Sequence, residues 1–505
     1  MKYFKNKLRN FFDQLLCLMS CLQQACRANL VDLCLVPRAL CLSPSCLVPR
    51  AFLTIHPQPA LPMLKPKLSF LQIINMNVGF FGIQYSFGLQ QSAVNPIYDF
   101  LGAKPDEIPW LNLAGPLTGL LVQPIIGALS DKTWHPRWGR RKPYFLIGAI
   151  MCSLALFLFP FSSELWMAAG LLWILDAGNN TAMEPYRAFI ADKLDSTQQP
   201  TGFLAQSFFT GLGQTLANFS LFLFPMIIVG YTGKLPNWVF ASFILGAICS
   251  IGTVWWSMKT TPEIPPTPEE LEEIRNKPLN LLSPFIDVFS AIKDMPKVMW
   301  QLALVYLFQW YALFCYWQNS SKSIAQSVFQ TGTDNRELYE KAVSLAGSVN
   351  GWYNIITFMS AFALVGFAKK YGAKWVHFSC LLLAAAGFMV FPYIENKWLL
   401  YVAITGFGIG WASMMGIPYL MVVKEIPKER YGVYMGIINM LIVIPMLIQT
   451  VTFGYIMRNF LHNDSGKAIL FAGVLLLIAA VFTLLIKTTN DNKEEANLPA
   501  YTGVH

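Results

Sequence analysis

Charge is scarce in this sequence. Asp, Glu, Lys and Arg make up 13% of the residues, about half the share usual in a soluble protein. Disorder of the chain as a whole, which needs low hydrophobicity and high charge, is thereby excluded. Histidine numbers five and forms no pair at i,i+4, so a zinc hydrolase lacks its ligands. No Gly-x4-Gly-Lys-Ser/Thr loop is present to cradle a nucleotide. The chain reads as no enzyme, with no cofactor and no metal site. The net charge is +9, but no long basic helix with interleaved aromatics accompanies it, so no nucleic-acid partner is expected. Ten cysteines do not make a secreted disulfide scaffold either. Cys17, Cys21, Cys26, Cys34, Cys41 and Cys46 crowd the start in no zinc spacing, and Cys152, Cys249, Cys315 and Cys380 sit singly in apolar runs as packing residues.

What is abundant is apolar surface. Hydrophobic residues are 55% of the 505, and mean hydropathy is +0.45. An ordinary core cannot hide that much. Runs without any Asp, Glu, Lys or Arg cover residues 68–98, 108–130, 143–163, 196–233, 235–258, 298–321, 342–368, 375–394, 398–423, 431–457 and 468–486. A twelfth, 165–190, is apolar except for Asp176, Glu184 and Arg187. Each is long enough to cross ~30 Å of hydrocarbon as a helix, and lipid leaves helices as the only open-ended solution. The expected fold is an all-α membrane protein of twelve transmembrane helices.

Residues 1–62 read differently. Cys-Leu-Val-Pro-Arg-Ala occurs twice, at Cys34–Ala39 and Cys46–Ala51, and Pro37, Pro44, Pro49, Pro57 and Pro59 interrupt any helix. This segment is expected to be a disordered extension ahead of a working chain that starts near Met63. Beyond it, 63–258 forms one six-helix bundle, 259–297 a linker, 298–487 a second bundle and 488–505 a tail. In the linker, Thr267-Pro268-Glu269-Glu270 marks a helix start, and Ser283-Pro284 a second. Lys132, Arg137, Arg140, Arg141 and Lys142 crowd the loop at 131–142. The loops of the opposite face carry only Lys104, Lys234, Lys322, Arg336, Lys341, Lys397, Arg458 and Lys467. The cation-rich side is therefore read as cytoplasmic, with both termini there. The stretch 322–341 is read as a solvated loop of the other face rather than a lid.

The cation-rich loop has a pattern that charge counting does not need: Gly127, then Asp131, then Gly139-Arg140-Arg141. Glycine permits close helix approach, and a carboxylate among arginines can lock helix ends together. This resembles the loop signature of the major facilitator superfamily. A weaker copy at Gly366…Lys369-Lys370-Tyr371-Gly372 lies six spans later and lacks the acid. Gly82-Ile-Gln84…Leu89-Gln90, Gly115-Pro116…Gln123-Pro124, Asp176…Asn179-Asn180…Pro185-Tyr186-Arg187-Ala188…Asp192 and Asn439…Pro445 are similar to motifs of sucrose–proton symporters. The chain is identified as a member of the glycoside/sucrose–cation symporter branch. Bacterial maltose- or glucoside-type relatives match equally, because Leu313–Ser320 lacks the Asp-Thr-Asp that the plant proteins carry there. The resemblance implies the major facilitator fold of two pseudo-symmetric halves. It also implies import of a sugar, a disaccharide such as maltose or sucrose, with protons.

The residues offer their own reading beside the resemblance. At 100° per residue, Asp176, Arg187, Asn180 and Glu184 fall at about 0°, 20°, 40° and 80°, one polar stripe on an apolar helix. Intramembrane charges are costly and face cavities. Asp176 and Glu184 are the candidate proton-coupling acids. Arg187 lies ~16 Å from Asp176 along the axis and is the candidate sugar donor. Asn77, Gln84, Gln91 and Asn95 share one face of the first span. Gln309, Tyr316 and Asn319 share a face of the seventh, and Asn350, Tyr353 and Asn354 lie in the eighth. Amides donate and accept as sugar hydroxyls do, so Asn180, Asn77, Gln84, Gln91, Gln309, Tyr316, Asn350 and Asn354 join Arg187 as candidate binding residues. The competing readings are a structural Glu184–Arg187 pair at i,i+3 and amides that tie helices together. The partners expected are a sugar, a coupling proton or sodium ion, and the bilayer of the cell membrane around a monomer. The alternatives are a sodium-coupled or uncoupled carrier of another polar solute, and a membrane sensor that binds sugar without moving it.

Overall fold

The computed structural model describes residues 65–486, apart from 196, several positions between 277 and 291, and 423–430. The extension at 1–62, the Ser283-Pro284 helix start and the tail lie outside the described residues. Each apolar run forms helix. The first, α1 (Phe70–Phe100), opens with a capping box: Gln72 N–H donates to Ser69 Oγ at 3.4 Å, and Ser69 N–H to Gln72 Oε1 at 2.8 Å. Then come α2 (Ile108–Leu111), α3 (Ala114–Lys132), α4 (Lys142–Leu158), α5 (Leu165–Lys193), α6 (Gln199–Ile227) and α7 (Asn237–Thr260). In the linker, α8 (Pro268–Asn276) starts at Thr267 as its sequence requires, with Glu270 N–H on Thr267 Oγ1. The second half supplies α9 (Lys297–Val328), α10 (Arg336–Tyr371), α11 (Ala373–Val390), α12 (Lys397–Val422), α13 (Tyr431–Asn459) and α14 (Ser465–Thr483).

Eight of the described helical segments are long and apolar enough to cross a membrane. The long helices outside that group are α1, α5, α6 and α10, into which amides and charges are written: Asn77, Gln84 and Gln90; Asp176 and Asn180; Gln214 and Asn218; Asn350 and Asn354. Packing partners fall into two sets. In one, α1 packs on α6 and α7, α4 on α5 and α7, and α3 on α5. In the other, α9 packs on α14 and α13, α11 on α12 and α14, and α10 on α12. The sets meet where α6 lies along α10 and where α13 touches α2 and α3.

Close approach within the sets depends on missing side chains. A Cβ at Gly82 would sit 2.3 Å from the carbonyl oxygen of Cys249 in α7, and one at Gly387 would sit 2.2 Å from that of Ala403 in α12. Without an aqueous drive between helices, such backbone-to-backbone packing is what holds a membrane bundle.

Three sequence expectations need adjusting. The run 108–130 is two helices, broken where Asn112 turns its amide onto Asn95 Oδ1 at 2.7 Å. The run 196–233 stops being helix at Ile227, and a two-stranded hairpin follows, β1 (Tyr231–Thr232) with β2 (Leu235–Pro236). Gly230 and Gly233 make this possible at φ +98° and +65°. The stretch 322–341 is not mainly loop. Helix α9 runs to Val328, α10 begins at Arg336, and Lys322 is buried because it has found a carboxylate.

Candidate functional site

The polar stripe of α5 faces α1 and α3. Asp176 is buried, and its Oδ1 accepts a 2.6 Å hydrogen bond from Gln90 Nε2 of α1. Gln90 Oε1 accepts in turn from Asn179 Nδ2 at 3.1 Å. Asn179 Oδ1 accepts from Ser86 Oγ at 3.1 Å and from Cys152 Sγ of α4 at 3.2 Å. Every link in this chain points its hydrogen toward Asp176, the one group that accepts without donating when ionised. The second oxygen, Oδ2, has no partner. It faces Gly115 of α3, where a Cβ would lie 3.7 Å away. Among the described residues no cation pairs with Asp176.

One helical turn on, Asn180 spans to α3. Its Nδ2 donates to Thr118 Oγ1 at 3.0 Å, and its Oδ1 accepts from Gln123 Nε2 at 2.6 Å. Gln123 Oε1 accepts from Asn439 Nδ2 of α13 at 3.4 Å, so this branch crosses to the other set of helices. Further along, Glu184 and Arg187 approach to 3.8 Å, with side chains 40% and 48% exposed. Gly127 faces the Cγ of Glu184 at 3.8 Å, measured from an ideal Cβ.

The stripe on α1 does not face Asp176. Gln84 Oε1 accepts from Gln214 Nε2 of α6 at 2.9 Å. Asn77 bonds the carbonyl of Ile73 on its own helix, and Gln91 is half-buried. Asn95 reaches the Trp317 carbonyl of α9 at 3.4 Å. The α1 residues that build the Asp176 network, Gln90 on the carboxylate and Ser86 on Asn179, lie off that stripe, about 125° and 165° from its centre. In the second set, Tyr316 donates to Asn350 Oδ1 at 2.8 Å, and Asn350 Nδ2 reaches Ser92 Oγ of α1 at 3.4 Å. Asn354 bonds the Asn350 carbonyl, and Asn319 Oδ1 accepts from Ser465 at 3.1 Å. Gln309 is fully buried with neither amide atom paired. An empty amide of that kind costs free energy unless something polar fills it.

The cation-rich loop is locked. Asp131 pairs with Arg140 at 3.0 Å and with Arg141 at 2.7 Å, and Arg141 also holds Asp192 at 2.8 Å. Burial works against the Arg141 charge, but Asp192 and Asp131 outweigh it and hold the guanidinium above its ordinary value. Gly139 adopts φ +75°. A Cβ there would lie 2.4 Å from Cδ of Glu263, whose carboxylate accepts from the N–H groups of Arg140, Arg141 and Lys142 at 2.7–2.9 Å. Glu263 thereby caps α4, a role that no spacing in the sequence announces across 121 residues.

A sequence profile of the Major Facilitator Superfamily matches residues 76–450. The sucrose transport protein SUT5 of Oryza sativa subsp. indica is 22% identical over 473 residues, covering 80% of this chain and 85% of the relative. The sucrose transport protein SUC4 of Arabidopsis thaliana is 23% identical over 430 residues, covering 74% and 81%. Among solved structures, the nucleoside transporter NupG aligns with a TM-score of 0.59 at 13% identity, covering 83% of this chain and 96% of that one. The xylose transporter XylE from E. coli, in a partially occluded inward open conformation, aligns at 0.55 and 13% identity, covering 83% and 99%. With the profile spanning most of its length and the helices packed as described, the chain belongs to the Major Facilitator Superfamily, a family of membrane transporters rather than enzymes.

Proposed function

We propose that the chain imports a sugar, a disaccharide of the sucrose or maltose class, together with protons, by alternating access of a central site to the two faces of the cell membrane. In this reading twelve spans form two halves, 63–258 and 298–487, joined by the linker 259–297, and the cation-rich face with both termini is cytoplasmic. The observation that carries it is Asp176: a buried carboxylate with one oxygen held by an amide and the other free of any partner. A structural acid would have both oxygens paired, as Glu263 has. An acid that must take and release a proton is better served by uncharged neighbours, which tolerate both of its states.

Asn180, Gln123, Asn439, Asn350 and Gln309 supply matched donors and acceptors from several helices, the chemistry that sugar hydroxyls require. Arg187 is half-exposed and 3.8 Å from Glu184, which leaves its donors available to a substrate. The relatives named for sucrose transport support the substrate class.

Counterflow in proteoliposomes tests the reading. Labelled sucrose or maltose should exchange into vesicles preloaded with the same unlabelled sugar, and an inward pH gradient should drive net accumulation. Binding without counterflow identifies a sensor. Accumulation driven by sodium and indifferent to pH replaces the proton.

A further inference from the structure

At the end of the molecule opposite the cation-rich loop, the two helix sets are joined by charge. Asp99, at the end of α1, and Lys322, in the last turns of α9, pair at 3.1 Å with side chains only 3% and 7% exposed. Tyr339, in the first turn of α10, donates its hydroxyl to the other oxygen of Asp99. Both carboxylate oxygens of a residue in the first set are thus satisfied by residues of the second.

Beside this triad the first turn of α10 makes a further crossing. Glu340 accepts from Trp238 Nε1 of α7 at 3.1 Å and from the Tyr231 hydroxyl of the hairpin. Phe100 packs edge-on against Tyr339, with ring centroids 5.4 Å apart. A recess of about 190 Å³, lined by Ala103, Gln326, Asp334 and Asn463, borders the ion pair.

A permanent seam between two halves gains little from a buried ion pair, because apolar residues of the same volume avoid the desolvation penalty. A seam that opens has different needs. Apolar surfaces exposed on opening stay unfavourable in water, whereas a separated carboxylate and ammonium regain full hydration. Closed, the two charges satisfy each other. Such a pair is suited to an interface that alternates between dry and wet.

We propose that Asp99, Lys322 and Tyr339 form a latch that holds the outer face of this transporter closed and parts when the site opens outward. The inference rests on the alternating-access reading and adds to it the residues that set the balance between the two states. The latch is separate from Asp176 and the amides around it.

The test is a distance measurement across the outer face in the full chain. Spin labels on unnatural amino acids at Lys104 and Thr333, both exposed, leave the native cysteines in place. In the unaltered protein a short distance should dominate. Asp99→Asn should raise the fraction with a longer distance about tenfold or more, as expected when a ligand-free equilibrium loses a contact made in one state only. Asp99→Asn leaves Lys322 without a counter-charge and could impair folding, so the neutral double variant Asp99→Asn with Lys322→Gln is measured beside it and should show the same lengthening. Exchanging the charges, Asp99→Lys with Lys322→Asp, should restore much of the short distance. Unchanged distances in the double variant would overturn the latch. Sugar counterflow in the unaltered protein separates the two ideas. Exchange with unresponsive distances removes the latch alone, and absence of exchange removes the transport reading whatever the distances do.

Discussion

Gln90 donates to Asp176 at 2.6 Å, and the same amide accepts from Asn179 at 3.1 Å. With its carbonyl committed to Asn179, Gln90 can present only N–H to the carboxylate. A proton on Oδ1 would then face another donor. The free position is Oδ2, beside Gly115. The geometry therefore gives a protonatable oxygen a defined address.

Asp176→Asn keeps the shape of this group and removes the titratable proton. The variant should lose uphill accumulation of sugar under an imposed pH gradient and keep counterflow, since exchange needs no net proton transfer. Accumulation at the level of the unaltered protein would take Asp176 out of the coupling step.

How much of this was legible beforehand depends on what each residue needs from its neighbours. The helices were readable because membrane spans announce themselves by the absence of charge, and α5 was readable as a polar stripe because Asp176, Asn180, Glu184 and Arg187 return at helical spacing. Gln90 and Ser86 were hidden on a face of α1 whose other side, Asn77 to Asn95, carries more amides and drew the attention. Periodicity shows that a face is polar, not which neighbour it meets. Lys322 was misread for a related reason: a lysine between apolar runs signals a loop, and only its distant partner Asp99 turns it into a buried residue. Glu263 sits in a charged linker where nothing local distinguishes a solvated glutamate from one that caps a helix far away in sequence.

Arg187 offers a test that separates binding from structure. Its guanidinium presents five donors in a planar fork, and Lys keeps the charge but not the fork. If sugar hydroxyls accept from it, Arg187→Lys should weaken affinity about tenfold or more, since a charge-assisted hydrogen bond is worth ~1.5–3 kcal/mol. Glu184 is half-exposed and 3.8 Å away, so Glu184→Gln should barely move the melting temperature in detergent. Unaltered affinity in Arg187→Lys, with both Glu184→Gln and Arg187→Gln unfolding early, would make the pair structural instead.

Glu263 should matter for stability without touching substrate. Its carboxylate takes three consecutive N–H groups at the start of α4, where a helix leaves its donors unsatisfied and its dipole favours negative charge. Glu263→Ala should cost about 1–2 kcal/mol, read as a melting temperature lower by a few degrees. Gly139→Ala should destabilise as well, because its φ of +75° disfavours a side chain and the new Cβ would press on Glu263. Sugar affinity in whichever variant remains folded should be unaltered, and a selective loss of affinity at full stability would place this corner in the binding site.

Gly115 provides the sharpest check on the proton's address. A Cβ there meets nothing within 4 Å except the two Asp176 oxygens, at 3.7 and 3.9 Å. Gly115→Ala therefore meets no other side chain or packed backbone, but as the second residue of α3 and directly before Pro116 it gains no helix-interior benefit, because a Cβ ahead of proline disfavours the helical conformation. The added methyl covers Oδ2, the oxygen with no hydrogen-bond partner, and takes up space that water or a proton donor would need to approach it. The variant should insert and melt like the unaltered protein or slightly below it, keep sugar counterflow, and accumulate sugar poorly under a pH gradient. A folded Gly115→Ala that accumulates sugar normally would mean that protons reach Asp176 from another direction, by way of Oδ1 and a turned Gln90. In that case Gln90→Leu, which also costs some stability by leaving Asp176 Oδ1 and Asn179 Nδ2 without partners, should become the variant that uncouples.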